Sequence, residues 1–175
     1  GTLAASKANE EENFIPSYAL LKTGFYGENG RQFNCFYPAE KLSYIKADQS
    51  FKLENCIFGK DLISGNIEVT EENLSEKPEL LCSIGTMKWN LHFEKTIESA
   101  PLYKNKNDLW IPLGAKTVFA GIVELNGTEY TVVPRSSAGY ISKSWGEKPI
   151  ENYFHLSSTN FTSSISGKNL GKSCF

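Results

Sequence analysis

Arginine is nearly missing from this chain of 175 residues, with Arg31 and Arg135 the only two. Guanidinium is the group that grips phosphate and carboxylate through two parallel bonds, so its scarcity argues against a phosphate-handling enzyme. Eighteen lysines and arginines are offset by twenty acidic residues. A formal net charge of −2 leaves no electrostatic case for a nucleic-acid partner. Histidine occurs twice, as His92 and His155, in separate strand-like segments with no carboxylates at ligand spacing. A metal site is therefore not expected. The four cysteines, Cys35, Cys56, Cys82 and Cys174, form no C-x-x-C pair. That excludes a zinc ribbon or a thioredoxin motif. Buried free thiols are expected, because cysteine packs as a small hydrophobe, with one disulfide open to an exported protein. There is no G-x-S-x-G nucleophile elbow. The glycines of "GFYGENG" neither match G-x-G-x-x-G nor open a helix. No cofactor is expected. No run approaches the ~20 apolar residues of a membrane-spanning helix, and the first residues do not read as a signal peptide, which carries little weight where the start reads as trimmed. The first residues, "GTLAAS", lack a methionine and the last, "KSCF", end on an apolar note. A fragment or a processed chain is expected.

What the chain does have is alternation. "MKWNLHFEK" sets Met87, Trp89, Leu91 and Phe93 on one face and Lys88, Asn90, His92 and Glu94 on the other. That is the period of a half-buried strand. "KTVFAGIVELNGTEYTVVP" predicts two strands joined at Asn126-Gly127, a pair suited to the positive φ angles of a two-residue hairpin. A strict two-residue turn would oppose Glu124 and Glu129, and like charges there are unfavourable, so a longer or bulged loop is expected. "YALLKTGFY" and "RQFNCFY" flank a second Asn-Gly turn in "GENG". "SFKLENCIF" and "GNIEVT" predict strands on either side of "GKDLIS", and "ENYFHLSSTNF" alternates again. "PAEKLSYI" predicts a single helical turn opened by Pro38. "ESAPLYKNKNDLWIPLG", with two prolines and a polar middle, reads as the longest loop.

Many short strands at about ten-residue spacing predict an all-β protein, an antiparallel barrel or a strongly curved sandwich. Residues 1–175 read as one domain. Aromatic residues make up 13% of the chain. Without interleaved arginine they suit a core better than a base-stacking platform. A barrel of this kind fills its interior with side chains or holds one apolar ligand. Trp89 faces inward by alternation, as core or as ligand wall. Trp110, in the Pro-flanked loop, is a candidate lid. "GYISKSWG", residues 139–146, has two readings. In one, its glycines turn a loop that plugs the end of the barrel, with Trp145 as anchor and Lys143 lying across the rim. In the other, Tyr140, Lys143 and Trp145 line or close a ligand entrance.

"GYISKSWGEKPIENYFHLSSTNF" resembles the tocopherol cyclase-like family, in the lipocalin-like hydroxyneurosporene synthase group. The family's stretch of aromatic-x-Glu-Lys-x-Trp-Gly is matched by Tyr140, Lys143, Trp145 and Gly146, and its later strand by Phe161. "FAGIVELNGTEYTV" resembles the hairpin before that motif, and "SFKLENCIFGKDLISGNIEV" an earlier segment. Ser142 stands in place of the family's glutamate, His155 of its second tryptophan, Ser157 of its glutamine and Thr159 of its asparagine. Pro149 comes one place early. The family's upstream signature is missing, and its second lipocalin-like half would follow residue 175.

The resemblance implies a calycin-like barrel for an isoprenoid or similar lipid-like molecule. In the cyclases and hydratases a carboxylic acid protonates a double bond and aromatic faces stabilise the cation. No carboxyl of this chain falls on a matched motif position. His155 and Tyr140 are the candidate acid–base groups, and Tyr153 a further phenolic donor. Three functions remain open at this point: a carrier or sensor of an apolar small molecule, a cyclase or hydratase, and a structural or interaction domain with a filled interior.

Overall fold

A computed structural model describes residues 2–5, 17–76, 83–98, 109–145 and 162–168. The chain is all-β and antiparallel. Three strands, β1 (Thr2–Ala5), β2 (Tyr18–Phe25) and β3 (Arg31–Pro38), form one sheet in that order. A turn of 3-10 helix at Ala39–Lys41 follows Pro38, where the sequence predicts one. The second sheet contains β4 (Leu42–Ile45), β5 (Ser50–Leu53), β6 (Cys56–Phe58), β7 (Leu62–Val69), β8 (Gly85–Glu98), β9 (Leu109–Leu125), β10 (Thr128–Val132) and β11 (Ala138–Trp145). Its order is β10-β9-β8-β7-β6-β5-β4, with β11 also paired to β9. Among the described residues this order does not return on itself to close a ring. A short helix, α1 (Glu71–Glu76), follows β7. Thr70 caps it, its hydroxyl accepting from the Asn73 N–H at 3.2 Å while the Asn73 side chain accepts from the Thr70 N–H at 3.1 Å.

Two compact units divide the chain. The first is Gly1–His92 with Gly121–Val132, and the second is Phe93–Ala120 with Val133–Phe175. In the first unit the inner faces of the two sheets meet. Ala19 and Leu21 of β2 and Phe33 of β3 pack with Leu53, Cys56, Ile67 and Val69 of the other sheet. Their spacing by two within each long strand is what places them on one face. In the second unit Phe93 and Phe119 meet with ring centroids 6.0 Å apart. Ile111, Ala115 and Ile141 are buried there. The buried Thr117 hydroxyl is satisfied by the Gly114 carbonyl at 3.3 Å.

The alternation of residues 87–94 is borne out: Lys88, Asn90, His92 and Glu94 are exposed and Phe93 is buried. Four expectations need correction. The turn at Asn126-Gly127 is a strict two-residue turn, with φ of 49° and 81°, and Glu124 does stand opposite Glu129. Lys88 eases the conflict, its ammonium 2.9 Å from the Glu124 carboxylate. Asn126 also ties the turn to β8, donating its N–H to the Thr86 carbonyl at 2.9 Å and accepting the Thr86 N–H on its side chain at 2.8 Å.

Second, "SFKLENCIF" is a hairpin and not one strand. Leu53 pairs with Cys56 around a tight turn in which Glu54 takes a φ of 53°. Third, the end of the expected long loop is strand: Trp110 and Ile111 lie on β9 and pair with Ser144 and Lys143. Pro112 is tolerated because the ladder slips beside it, from Ile111 opposite Lys143 to Gly114 opposite Ile141. A bulge leaves a residue unpaired, and proline has no N–H to offer.

Fourth, "GYISKSW" is neither plug nor loop. It is β11, with Ile141 buried and Tyr140 exposed. The segment "ENYFHLSSTNF" lies outside the described residues.

Gly65 carries a strong steric demand. Its φ is 157°, and a methyl group on it would lie 2.5 Å from the Cys56 sulfur and 2.9 Å from the Cys56 Cα. Gly127, by contrast, has φ 81° and nothing within 4 Å of that position. Urea unfolding should therefore separate two substitutions of the same chemistry. Gly65→Ala is expected to cost about 2 kcal/mol or more through overpacking. Gly127→Ala should cost about 1 kcal/mol of left-handed backbone strain. Equal losses would mean that Cys56 does not press on Gly65.

Candidate functional site

The first unit contains an apolar cleft of ≈ 90 Å³ between its two sheets. The cleft follows from the pairing of three strands. On β7 and β8 the cross-strand partners are Ile63 with Leu91, Gly65 with Trp89 and Ile67 with Met87. These all point to the inner face, because partners in an antiparallel pair share a side of the sheet. Gly65 contributes no side chain there. The space it leaves is taken by the Cys56 sulfur from β6 and borders the Trp89 position. Val123 of β9 extends the same lining, and Leu21 and Thr23 of β2 face it from the other sheet.

The polar chemistry of the cleft is slight and already engaged. The Thr23 hydroxyl donates to the Met87 thioether sulfur at 3.2 Å, which links the two sheets across the cleft. The Cys56 thiol donates to the Asn66 carbonyl at 3.4 Å. Burial pushes the Cys56 thiol up from its ordinary value, and the bond to Asn66 works in the opposite direction. A thiol so placed stays neutral at pH 7 and is a packing group, not a nucleophile. Among the described residues, those lining the cleft include no carboxylate and no imidazole.

Beside the cleft the core holds a second group of titratable side chains. Cys35 donates to the Glu68 carbonyl at 3.7 Å, two residues along β7 from the carbonyl that Cys56 uses. The Tyr37 phenol is pushed up to about 12, first by burial and then by the neighbouring Cys35 thiol, to which it is hydrogen-bonded. Neither Cys35 nor Cys56 is in a disulfide; Cys56 is buried as the sequence predicts and Cys35 only half-buried, whereas Cys82 and Cys174 lie outside the described residues. Among the described residues no three His, Cys, Asp or Glu side chains cluster as metal ligands would.

Of the side chains singled out by sequence, Trp89 lines this cleft. Tyr140 and Lys143 lie on β11 in the second unit, both exposed. Trp110 and Trp145 are placed by their backbone pairing on β9 and β11, with side chains outside the described residues. Tyr153 and His155 lie outside the described residues altogether. The lining residues missed by sequence include Thr23, Cys56, Phe58, Ile63 and Val123. Alternation places Thr23 on the same face as Ala19 and Leu21, but nothing in one strand announces what faces it across a core.

Tyr37 gives this region a pH signature. A phenol whose folded value is raised to about 12 from 10.0 contributes stability that is present in full below pH 10 and is lost as pH climbs towards 12. Denaturant midpoints measured across that window should fall, and Tyr37→Phe should flatten the part of the fall that belongs to this phenol. An identical decline in the variant would place the Tyr37 phenol in water.

Comparison with protein-family models, with curated proteins and with solved structures gives no match to this chain.

Proposed function

We propose that the protein binds an apolar small molecule, isoprenoid or lipid-like, in the cleft between the two sheets of its first unit. The observation that carries this reading is the lining itself: Trp89, Phe58, Leu91, Met87 and Val123 present aromatic, aliphatic and thioether surface to one cleft. Met87 adds a soft, polarisable surface that adapts to irregular ligands. Engagement of the Thr23 hydroxyl by Met87 leaves little to hold a strongly polar ligand inside.

Size limits the occupant. Pockets for whole drug-sized ligands run to roughly 300–1,000 Å³, and this cleft has ≈ 90 Å³. It suits one branched prenyl end or a small ring, with the rest of a longer molecule outside. The lipocalin-like closure implied by the resemblance is not needed for this, because the cleft lies between sheets and not inside a ring of strands. Turnover of the cyclase kind would need a proton donor at the cleft. A neutral thiol and an engaged hydroxyl do not supply one, so binding without chemistry is the reading the lining favours. No described helix is long and apolar enough to cross a membrane, and the proposal calls for no membrane span. It requires no cofactor and no nucleic acid.

Met87 is the only methionine in the sequence and lines the cleft. Isotope labelling of the methionine methyl therefore gives one NMR resonance inside the site. Adding prenyl alcohol should shift that resonance in a saturable way and raise the melting temperature. Val123→Phe should fill the cleft and abolish the shift while the protein stays folded. No shift in the wild-type protein, or an equal shift in the filled variant, would overturn the assignment.

A further inference from the structure

The strand at the end of the sheet continues the cleft's inner face. Tyr130 of β10 stands directly opposite Val123 of β9, and Val123 lines the cleft. Directly opposed residues point to the same side, with Cβ atoms about 5 Å apart. Tyr130 is therefore one strand beyond the lining and on its side of the sheet. It is 49% exposed, whereas Val123 opposite it on the same face is half-buried. The cover over the inner face has thinned by the time the sheet reaches β10. A phenol at that boundary offers a ring to apolar surface and a hydroxyl to solvent or to a ligand.

From this we infer that Tyr130 is the rim residue of the cleft and accepts the polar end of an amphiphile whose apolar end lies between the sheets. The inference rests on the binding reading above and specifies the ligand class: a branched apolar end with one uncharged hydroxyl or carbonyl head. Charge is excluded by what shares the face. The positions of β10 on the cleft side are Thr128, Tyr130 and Val132, none of them a carboxylate or a cationic side chain. Glu129 and Glu124 occupy the opposite face, where Lys88 meets Glu124. An anionic head at this half-exposed rim would give up part of its hydration with no cation on that face of β10 to replace it, a poor exchange for a carboxylate. A neutral head gives up much less and gains the phenol.

The experiment compares three probes of one carbon skeleton: prenyl alcohol, the corresponding alkene and the corresponding carboxylate. Each is titrated against the Met87 methyl resonance in the wild-type protein and in Tyr130→Phe. One neutral hydrogen bond is worth about 1 kcal/mol, so the alcohol should bind about five-fold more tightly than the alkene in the wild type. Tyr130→Phe keeps the ring and loses the hydroxyl. It should bring the alcohol down to the alkene's affinity and leave the alkene unchanged. The carboxylate should be the weakest of the three. If Tyr130→Phe binds the alcohol as the wild type does, or if the carboxylate matches the alcohol, the rim assignment is wrong while the cleft stands. If none of the three moves the Met87 resonance in the wild type, the binding reading fails and this inference falls with it.

Discussion

Cys56 sits directly on Gly65, its sulfur 2.5 Å from where a side chain on that glycine would begin. That approach fixes how β6 lies against β7, and most of the first unit follows from it. With Cys56 so placed, its thiol reaches the Asn66 carbonyl, and Cys35 reaches the Glu68 carbonyl on the same strand. A strand that stops pairing on one edge leaves carbonyls that need donors. Here two of them meet thiols, which bring apolar bulk into the core together with a weak donor. The empty position at Gly65 also stands opposite Trp89, so the bulkiest cleft residue has the smallest possible cross-strand partner.

Segregation between the two faces of the second sheet follows from the same register. On β8 the exposed residues Lys88, Asn90 and His92 alternate with Met87, Trp89 and Leu91. On β9 and β10 the glutamates Glu124 and Glu129 fall on the Lys88 side, and Val123 and Tyr130 on the Trp89 side. A slip of one residue would invert every one of these positions. The Asn126 turn prevents that slip. It bonds to both the N–H and the carbonyl of Thr86 and so pins the β9–β10 hairpin to the start of β8. The opposition of two glutamates is tolerated because moving either would cost the whole inner face, and an exposed ion pair with Lys88 offsets part of the repulsion.

The consequence for function is a cleft with shape and apolar surface but little reactive chemistry. Its thiol is held neutral by burial, its hydroxyl is bonded to a thioether, and its aromatic groups stand where a ligand would lie. Selectivity in such a site comes from volume and from what happens at its edge. On the proposed reading, Tyr130 is where an amphiphile would find a polar partner.

Local sequence alone determined that Met87, Trp89, Leu91 and Phe93 share a face, through alternation; that Asn126-Gly127 turns a hairpin, through the φ preference of that pair; and that the chain is all-β, through the spacing of such segments. These are properties of neighbours in sequence, and local patterns express them directly. Alternation failed where a local signal was overruled. "GYISKSW" has the glycines and polar residues of a loop, yet β9 supplies a partner along its length, and two bulges absorb the mismatch. Pro112 looked like a loop residue until one of those bulges removed the need for its missing N–H. The cleft was legible only as Trp89. Thr23 and Met87 are 64 positions apart and Cys56 and Gly65 belong to different strands, so what they enclose depends on how one sheet is laid on the other. That is a matter of packing between faces, which no periodicity within a strand records, and only the tertiary structure decided it.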